Sequence, residues 1–364
     1  MSIRIFHTGD IHIGMKFNRY TDDVRDKLIE ARFNVIDNMI KKSNELSCNI
    51  FVIAGDLFNS INIPQKDIRR VVNMLNGFEG DYVFVLPGNH DYESDMNDLW
   101  KNFMDMESDK IVFLKDKKPY VYEDIDLSVF PAPCDSKHSK NNAIGWIKEC
   151  NFNNTKYNIG IAHGAVEGLS PDMQGEYFYM EEKELMDIPV NLWLIGHTHV
   201  IYPSNEEVFN HKIYNAGTPE PDGLDYRGDG AAWFIELKDN EINAKKVHTG
   251  NYRFYNENYV INSEDDILNL INDISSAEAK NKLMKISLSG NVPKELYSNL
   301  KDYYERIRDN LLYVEIDDQE LREIIDNDTI EREFTKGSFP YEFLMSLNDD
   351  KEALQMAYDL LRRK

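Results

Sequence analysis

Cysteine is scarce in this chain of 364 residues. There are three, Cys48, Cys134 and Cys150, and they are odd in number, widely spaced and without a CxxC pair. This pattern argues against a disulfide framework and against a zinc knuckle. We therefore expect reduced thiols.

Long hydrophobic runs are also lacking. No apolar run approaches the roughly 18 residues that a membrane-spanning helix needs. The opening stretch, MSIRIFHTGD, already has the pattern of a strand, without the basic and apolar regions of a secretory signal. The sequence therefore predicts a cytoplasmic protein with no membrane segment.

Positively charged residues are few relative to negatively charged ones. The chain has 41 Lys and Arg and 64 Asp and Glu, which give a formal net charge of −23. Binding to nucleic acid normally draws on Lys and Arg contacts to phosphate. Such an acidic chain is expected to repel DNA unless its acidic residues lie away from the contact face. Bound metal cations or a more basic partner could also supply the attraction.

Short apolar runs alternate with helical stretches from residue 1 to about 250. The runs are continuous rather than alternating with polar residues, which is typical of strands buried on both faces. Strands are predicted at 3–8, 49–55, 82–88, 158–164 and 191–197, and helices at 21–46, 64–77, 94–106 and 181–187. Two later segments, KIYNAGTP and AAWFIEL, are expected to close a second sheet over the first. The sequence thus predicts a layered α/β core.

The chain changes character after about residue 256. Ser263 is placed to cap a helix, and two helix–strand pairs predict a small α/β unit at 256–316. The stretch 317–333 carries eight acidic residues against two arginines and is expected to be a solvated linker. The tail at 334–364 is apolar again, with helical spacing.

Metal-capable residues follow almost every strand in the first 200 residues. In open α/β sheets, ligands gather outside the carboxyl ends of the strands. Five motifs in order supply seven potential ligands: Asp10, His12, Asp56, Asn89, His163, His197 and His199. Each motif alone is more often a turn or a structural histidine. Together they exceed the three or four ligands of one zinc site, whereas two cations that share a carboxylate use them all.

The ligand types indicate the chemistry. Histidine and carboxylate without thiolate suit Mn²⁺, Fe or Zn²⁺. Two divalent cations bring four positive charges, of which Asp10 and Asp56 cancel two. Asn89 coordinates without adding a negative charge, so the site keeps a positive surplus for a phosphate ester. Such a metal pair lowers the pKa of a bridging water and polarises phosphoryl oxygens for in-line attack.

The ordered motifs GDIH, GDLF, GNHD, AHG and GHTH resemble the binuclear metallophosphoesterase (calcineurin-like) superfamily over roughly residues 1–250. The resemblance implies a layered α/β/β/α core. It places one metal on Asp10, His12, Asp56 and His199, and the second on Asp56, Asn89, His163 and His197. It makes His90 the catalytic histidine, which contacts the phosphate and protonates or steadies the leaving oxygen. Asp91 is expected either to orient a neighbour or to be only a turn residue.

Within that superfamily, GDIHIGMKFNRYTDD, GDLFN and YNAGTPE are similar to the meiotic-recombination-eleven (SbcD-type) DNA repair nucleases. The resemblance implies a nuclease domain at 1–250, a DNA-contacting capping domain at 256–316 and a helical segment at 334–364 that binds an SMC-like coiled-coil ATPase. It also implies two metal ions, with Mn²⁺ favoured, for 3′ to 5′ exonuclease action on duplex DNA and endonuclease action on single strands. The expected partner-binding residues are Phe343, Leu344, Leu347, Leu354, Leu360 and Leu361, unless this helix packs on the chain's own core.

Two further surfaces follow from the same resemblance. A homodimer is implied through the helices at 64–77 and 94–106, with Leu99, Trp100, Phe103 and Met104 as apolar anchors, although core packing explains these residues equally well. DNA contact is expected at Lys16, Asn18, Arg19 and Asn59, with solvated surface as the alternative for the basic segment. Asn59 stands where many family members carry a histidine associated with exonuclease action, which puts leaving-group or strand positioning in doubt.

Two other functions fit parts of the pattern. A metallophosphatase or phosphodiesterase for small molecules or nucleotides would share every ligand, but it would need neither a capping domain nor an apolar tail. A binding scaffold without chemistry would have no use for the full ligand set with His90. The leading hypothesis is therefore a nuclease that processes DNA ends.

Overall fold

The computed structural model describes residues 2–94, 96–106, 108–170, 172, 174–226, 228–239, 241–276 and 278–362. Asp95, within the helix predicted at 94–106, and the last two residues of the tail lie outside the described part. The chain divides into two compact units, Met1–Arg253 and Phe254–Lys364.

The first unit contains most of the strands. They are β1 (Ser2–Thr8), β2 (Ile50–Ala54), β3 (Tyr82–Leu86), β4 (Ile111–Phe113), β5 (Tyr120–Tyr122), β6 (Leu127–Ala132), β7 (Tyr157–His163), β8 (Leu192–Gly196), β9 (Glu207–Phe209), β10 (Ile213–Asn215), β11 (Ala231–Lys238) and β12 (Glu241–His248). The helices are α1 (Asp22–Glu45), α2 (Gln65–Leu75), α3 (Leu99–Met104) and α4 (Glu182–Asp187).

Two sheets organise these strands, in the orders β4-β3-β2-β1-β11-β12-β9 and β10-β8-β7-β6-β5. β1, β2, β3 and β4 run parallel, and so do β6, β7, β8 and β10. The KIYNAGTP segment supplies β10 of the second sheet, as predicted. AAWFIEL instead supplies β11, which pairs antiparallel with β1 in the first sheet. The carboxyl ends of β1, β2 and β3 therefore share one edge.

Apolar side chains pack in three layers. Phe33 of α1 and Phe103 of α3 belong to the cluster on the outer face of the larger sheet. Ile5 of β1 and Ile161 of β7 meet in the cluster between the two sheets. Leu185 of α4 belongs to the cluster on the outer face of the smaller sheet. This is the predicted layered α/β/β/α core, which the structure confirms.

α3 is shorter than the helix predicted at 94–106. The Ser94 hydroxyl accepts a hydrogen bond from the Met96 N–H (3.2 Å), and the Asn97 side-chain oxygen accepts one from the Leu99 N–H (3.3 Å). Local bonds of this kind compete with helical ones, so Ser and Asn favour turns and helix starts. The helix therefore begins only at Leu99.

Three of the four predicted dimer anchors are buried inside the chain. Leu99 and Trp100 are each 2% exposed, Phe103 is fully buried, and Met104 packs against the same cluster. Trp100 stacks on Phe113 with ring centroids 4.3 Å apart. Leu99, Trp100 and Phe103 are unavailable to a second copy, so the anchor prediction is wrong for these three and core packing explains them, whereas Met104 is half-buried.

In its described residues, the second unit holds a three-stranded sheet and five α-helices. The sheet order is β13-β14-β15, formed by β13 (Arg253–Val260), β14 (Lys282–Val292) and β15 (Tyr313–Glu323). The helices are α5 (Glu264–Ile274), α6 (Lys294–Asn310), α7 (Asn327–Glu333), α8 (Phe339–Ser346) and α9 (Lys351–Arg362). α5 and α6 share one apolar cluster with the sheet. Ser263 caps α5 in a capping box with Asp266, as predicted.

The acidic stretch 317–333 is not a linker. β15 continues to Glu323, and α7 begins at Asn327. Leu321 is buried in the cluster of the sheet, and Ile330 is buried in the cluster of the tail. Acidic side chains such as Asp318, Glu320 and Glu331 are exposed on these elements, so composition alone gave the wrong prediction.

The tail helices enclose a small core of their own. Leu344 and Leu354 are buried there beside Ile330 and Tyr358, and Leu347 packs against them. The prediction that Leu344 and Leu354 contact a partner is therefore wrong. Phe343, Leu360 and Leu361 are exposed, at 39%, 65% and 39%.

α1 is the longest helix, but it is polar along its outer side. Its 24 residues include exposed ion pairs such as Lys41 with Asp37 at 2.6 Å. Throughout the ranges that the structure describes, no helix has both the length and the apolar character needed to cross a bilayer.

Candidate metal centre

The seven predicted ligands all follow strand ends. Asp10 and His12 lie in the loop after β1, Asp56 after β2, Asn89 after β3, His163 at the end of β7, and His197 and His199 after β8. Backbone hydrogen bonds tie the first two loops together, from Asp10 N–H to the Gly55 carbonyl (3.1 Å) and from His12 N–H to the Asp56 carbonyl (3.0 Å). The topology therefore brings distant parts of the sequence to one place.

The backbone is strained at this place. φ is positive at five of the seven predicted ligands: Asp10 (51°), His12 (54°), Asp56 (51°), His197 (112°) and His199 (52°). A left-handed conformation costs a non-glycine residue about 1–2 kcal/mol. Such strain persists where the surrounding structure enforces it, and it clusters at functional sites.

Two glycines permit the close approach of the loops. Gly88 lies against the Asp56 carboxylate, where any β-carbon would overlap it. Gly55 has φ of +88°, and a β-carbon there would overlap the His163 ring. A side chain at either position would push two predicted ligands apart.

Asp10, His12 and His199 form the first of two compact donor groups, with ligand atoms within 4.8 Å of one another. His12 Nε2 and His199 Nε2 are 3.0 Å apart, and Asp10 Oδ1 lies 3.7 Å from His199 Nε2. Asp10 Oδ1 is buried and has no hydrogen-bond partner among the described residues. These converging donor atoms fit a divalent cation.

Asp10, Asp56 and His163 form the second group. Asp56 Oδ2 lies 3.4 Å from His163 Nε2 and 3.7 Å from His12 Nε2, so one oxygen is close to a histidine of each predicted metal. Asn89 Oδ1 lies 3.0 Å from His163 Nε2 and 3.1 Å from His197 Nδ1. All seven predicted ligands are therefore neighbours.

Burial and charge set the protonation of the histidines. Burial lowers the pKa of His12 well below its usual range and that of His197 to about 3, so both are neutral and offer lone pairs. Burial also opposes charge on His163, but the nearby Asp56 raises the pKa of His163 to about 9. In turn His163 and His12 lower the pKa of Asp56, against the effect of burial. A carboxylate held ionised in the interior is ready to bind a cation.

His90 lies beside the ligands and is itself half-buried. Its ring meets that of His12 edge to face, with centroids 4.9 Å apart. Its backbone N–H donates to Asp56 Oδ1 (2.8 Å), and its Nδ1–H donates to the Asn59 carbonyl (3.3 Å). That bond leaves Nε2 free to hold or give a proton.

Asp91 joins two of the loops. It is fully buried, and its carboxylate accepts hydrogen bonds from the backbone N–H groups of Gly88 (2.7 Å) and Phe58 (2.9 Å). Burial and the charge of Asp56 raise the pKa of Asp91 to about 8. Of the two expectations for Asp91, orientation of neighbours is the one that the contacts support.

A cleft of about 1040 Å³ opens next to this centre. Three of the four predicted DNA-contacting residues line it, namely Lys16, Asn18 and Asn59, whereas Arg19 does not. Further cationic side chains in its lining include Arg25 and Lys66. Glu30 and Asp67 also line the cleft, against four Lys and Arg side chains, so the cleft is more basic than the chain as a whole.

The sequence did not predict a role for three residues that lie near the candidate ligands. Asp222 accepts a hydrogen bond from His199 Nδ1 (2.9 Å), and Arg32 is buried behind the first donor group. Tyr177 lies over His197, with ring centroids 5.2 Å apart. Arg32 carries a signal that could have revealed it, since it occupies the buried face of α1, four residues after Leu28. Asp222 and Tyr177 lie in irregular loops, where the sequence has no such pattern.

Comparison with known proteins agrees with this geometry. A family model described as calcineurin-like phosphoesterase matches residues 3–201. DNA double-strand break repair protein Mre11 of Methanocaldococcus jannaschii is 21% identical over 345 residues, which cover 89% of this chain and 86% of that protein.

Shorter matches point the same way. Proteins of the same name from Methanosarcina acetivorans and Methanosarcina mazei are each 32% identical over 100 residues, which are 27% of this chain. The match spans only 15% of the length of either Methanosarcina protein. The family model, by contrast, covers more than half of the chain. The chain belongs to the calcineurin-like phosphoesterase family.

Proposed function

We propose that this chain is a metal-dependent DNA nuclease that processes DNA ends in double-strand-break repair. The observation that carries the proposal is the convergence of seven metal-capable side chains from five strand ends, with His90 beside them. The full-length similarity to a DNA repair protein supports DNA as the substrate. The proposed activities are 3′ to 5′ exonuclease on duplex DNA and endonuclease on single strands, in the cytoplasm.

In the proposed site, Asp10, His12, Asp56 and His199 hold one cation, and Asp56, Asn89, His163 and His197 hold the other. The position of Asp56 Oδ2 between His12 and His163 supports its shared role. When bound, the two cations supply a water of lowered pKa and polarise the phosphoryl oxygens. A donor set of imidazole, carboxylate and amide oxygen without thiolate suits Mn²⁺, which we propose as the metal.

The chain's own groups supply orientation and proton transfer. His90 steadies the leaving oxygen through Nε2 or, as an imidazolium, gives its Nε2 proton to that oxygen, while its Nδ1–H stays bonded to the Asn59 carbonyl. That contact uses the backbone of Asn59, so the absence of a histidine side chain at this position leaves it intact. Asn59 therefore bears on strand position in the cleft rather than on the orientation of His90.

The surroundings of the centre favour a polynucleotide over a small ester. Lys16, Arg25 and Lys66 line the cleft and offer contacts for successive phosphates. On another side, the Tyr177 ring lies between those of His197 and His138, with centroids 5.2 and 4.9 Å away. Aromatic faces of this kind stack on nucleobases.

The second unit supplies the proposed partner surface. Phe339 and Phe343 stack on each other with centroids 5.7 Å apart, and Phe339 is 76% exposed. Met356 and Leu360 of α9 are also exposed. We propose that this apolar surface of the tail binds the coiled coil of an SMC-like ATPase, and that the sheet of the same unit contacts DNA. A homodimer is proposed through the polar outer faces of α2 and α3, since their apolar faces are internal.

The central test is Mn²⁺-dependent cleavage of linear duplex DNA, hairpin DNA and a p-nitrophenyl phosphate ester. We expect wild-type protein to cleave DNA, Asn89→Ala to lose that activity with its metal, and His90→Ala to cleave about 100-fold more slowly. The exposed His248 is a matched control outside the centre, and His248→Ala is expected to retain full activity.

Two outcomes would contradict the proposal. Undiminished DNA cleavage by both Asn89→Ala and His90→Ala would refute the site. Cleavage of the small ester alone would favour the alternative, a metallophosphatase or phosphodiesterase for small molecules or nucleotides, because the metal ligands would be the same.

A further inference from the structure

A carboxylate outside the predicted ligand set contacts one of the ligands. Asp222 Oδ2 lies 2.9 Å from His199 Nδ1, which donates to it. The Nδ1 proton leaves a lone pair on Nε2, the atom that lies 3.0 Å from His12 Nε2 and 3.7 Å from Asp10 Oδ1. A hydrogen bond on one ring nitrogen therefore decides which nitrogen can bind a metal.

A buried arginine joins Asp222 to the first ligand loop. Arg32 of α1 is 1% exposed, and an interior charge requires compensating contacts. Its Nη1 donates to the Ile11 carbonyl (3.2 Å) and its Nη2 to the Pro221 carbonyl (3.3 Å). Ile11 lies between Asp10 and His12, and Pro221 immediately precedes Asp222.

Thr218 extends the same network. Its hydroxyl accepts a hydrogen bond from Arg32 Nη1 (3.4 Å) and lies 3.0 Å from the Asp10 carbonyl. The Arg32 guanidinium thus contacts two segments: the Asp10–His12 loop, through Ile11, and the segment before Asp222, through Thr218 and Pro221. Asp10 and His12 both have positive φ, so their loop needs external contacts to hold it.

We propose that Arg32 and Asp222 are positioning residues that assemble the half of the metal centre formed by Asp10, His12 and His199. The inference rests on the proposed function only in that the site binds two cations. Asp222 fixes the tautomer and the rotation of His199, and Arg32 holds the Asp10–His12 loop in register with it. Among the described residues, no hydrogen bond or ion pair joins Arg32 or Asp222 to Asn89, His163 or His197.

The test is calorimetric titration of metal-free protein with Mn²⁺. Wild type is expected to bind two ions, and Asp222→Asn is expected to bind one of them about 10- to 100-fold more weakly, with the other unchanged. The single substitutions His199→Ala and Asn89→Ala show which of the two binding steps belongs to which half of the centre. Asp222→Asn should weaken the same step as His199→Ala. Asp222→Glu, which keeps the negatively charged carboxylate, is expected to restore part of the affinity.

Glu206→Gln is the matched control. Glu206 makes the same kind of bond to His248, at 3.1 Å, but neither residue is a ligand, so both affinities should stay at the wild-type level. In metal-free protein with ¹⁵N-labelled histidine, the Nδ1–H signal of His199 should be present in wild type, and its chemical shift should change in Asp222→Asn, where an amide oxygen replaces the carboxylate.

Arg32→Lys tests the other positioning residue. It keeps the charge but loses the planar fork, and it should weaken the same ion as Asp222→Asn. Thermal unfolding of each variant checks that it folds. If Arg32→Lys does not fold, Asp222→Asn still tests the inference, because Asp222 is partly exposed. Equal affinity for both ions in Asp222→Asn and wild type, or an equal loss at both, would overturn the inference. Because no DNA is used, absence of nuclease activity would refute the proposed function while leaving this inference standing.

Discussion

The turn after β3 contains four residues with four different contacts. Gly88 leaves space for the Asp56 carboxylate, and Asn89 places its side-chain oxygen between His163 and His197. His90 donates through its backbone to Asp56, and the buried carboxylate of Asp91 binds the backbone on both sides. A polar turn at a strand end becomes part of a site only because other loops meet it there.

Replacement of Asp91 by asparagine should weaken the first unit. The amide oxygen can take the place of one carboxylate oxygen, but the amide NH₂ would face the other backbone N–H. We expect a loss of about 1–3 kcal/mol in the free energy of unfolding. Denaturant unfolding of the metal-free protein measures it. Asp124, which bonds the Tyr82 hydroxyl at the surface, is a matched control, and an equal loss in Asp124→Asn would contradict the buried role of Asp91.

The positioning residues mark the limit of sequence reasoning at this scale. Histidine and aspartate at strand ends are visible because the chemistry and the pattern coincide. Asp222 is not part of such a pattern. Its role depends on a loop that brings it next to His199, which lies 23 residues earlier in the chain. Arg32 was visible only as a charged residue on an apolar helical face.

Strands were the most predictable elements. β1, β2, β3, β7 and β8 lie within about two residues of their predicted positions, because continuous apolar runs fit strands covered on both sides. α3 and the acidic stretch failed for opposite reasons. Local side-chain bonds shortened the first, and tertiary burial of Leu321 and Ile330 ordered the second against its composition.

The tail should distinguish structural leucines from surface leucines on one helix. Leu354 is 2% exposed in α9, whereas Leu360 is 65% exposed. Leu354→Ala is expected to cost about 2–5 kcal/mol of local stability, and Leu360→Ala to stay within about 0.5 kcal/mol. Hydrogen exchange across α8 and α9 measures the difference. Equal protection in the two variants would contradict the small core of the tail.

At the scale of the molecule, charge is unevenly distributed. The net charge is −23, yet the cleft beside the metal centre is lined by Lys16, Arg25, Lys66 and Arg70. Arg70 is engaged by Glu30 and stacks on Phe33, and Arg25 pairs with Asp22 and Asp26, so Lys16 and Lys66 contribute most of the free positive charge. The acidic surface and the basic cleft together favour entry of a phosphate chain at one place.

DNA binding by the isolated chain should be weak and steeply dependent on salt. Lys16→Ala and Lys66→Ala are each expected to weaken binding regardless of DNA sequence and to reduce the salt slope by about 1. Fluorescence anisotropy at several salt concentrations measures both effects, with the exposed Lys101 outside the cleft as the control. Tight binding that does not respond to salt would contradict the proposed path.

Acid should destabilise the first unit partly through His7 of β1. Burial lowers the pKa of His7 from an ordinary 6.5 to about 3, so the unfolded chain takes up this proton first. The resulting stability is present above pH 6.5 and falls by about 1.4 kcal/mol per pH unit below it, down to about pH 3. Urea unfolding of metal-free protein between pH 6 and 5 measures how steeply the free energy of unfolding falls with pH. This slope should be smaller in His7→Leu than in wild type by about that amount. Identical slopes in variant and wild type would contradict the prediction.

The sequence by itself determined the layered α/β class, the order of the strands along the chain and the seven candidate metal ligands at the strand ends. These follow from local patterns, since apolar runs form strands and glycine, aspartate and histidine end them. Only the tertiary structure decided that Leu99, Trp100 and Phe103 face inward, that Leu344 and Leu354 form a core, and that Arg32 and Asp222 stand behind His199. Burial and long-range side-chain contacts depend on which distant segments of the chain meet, and no local sequence pattern specifies that.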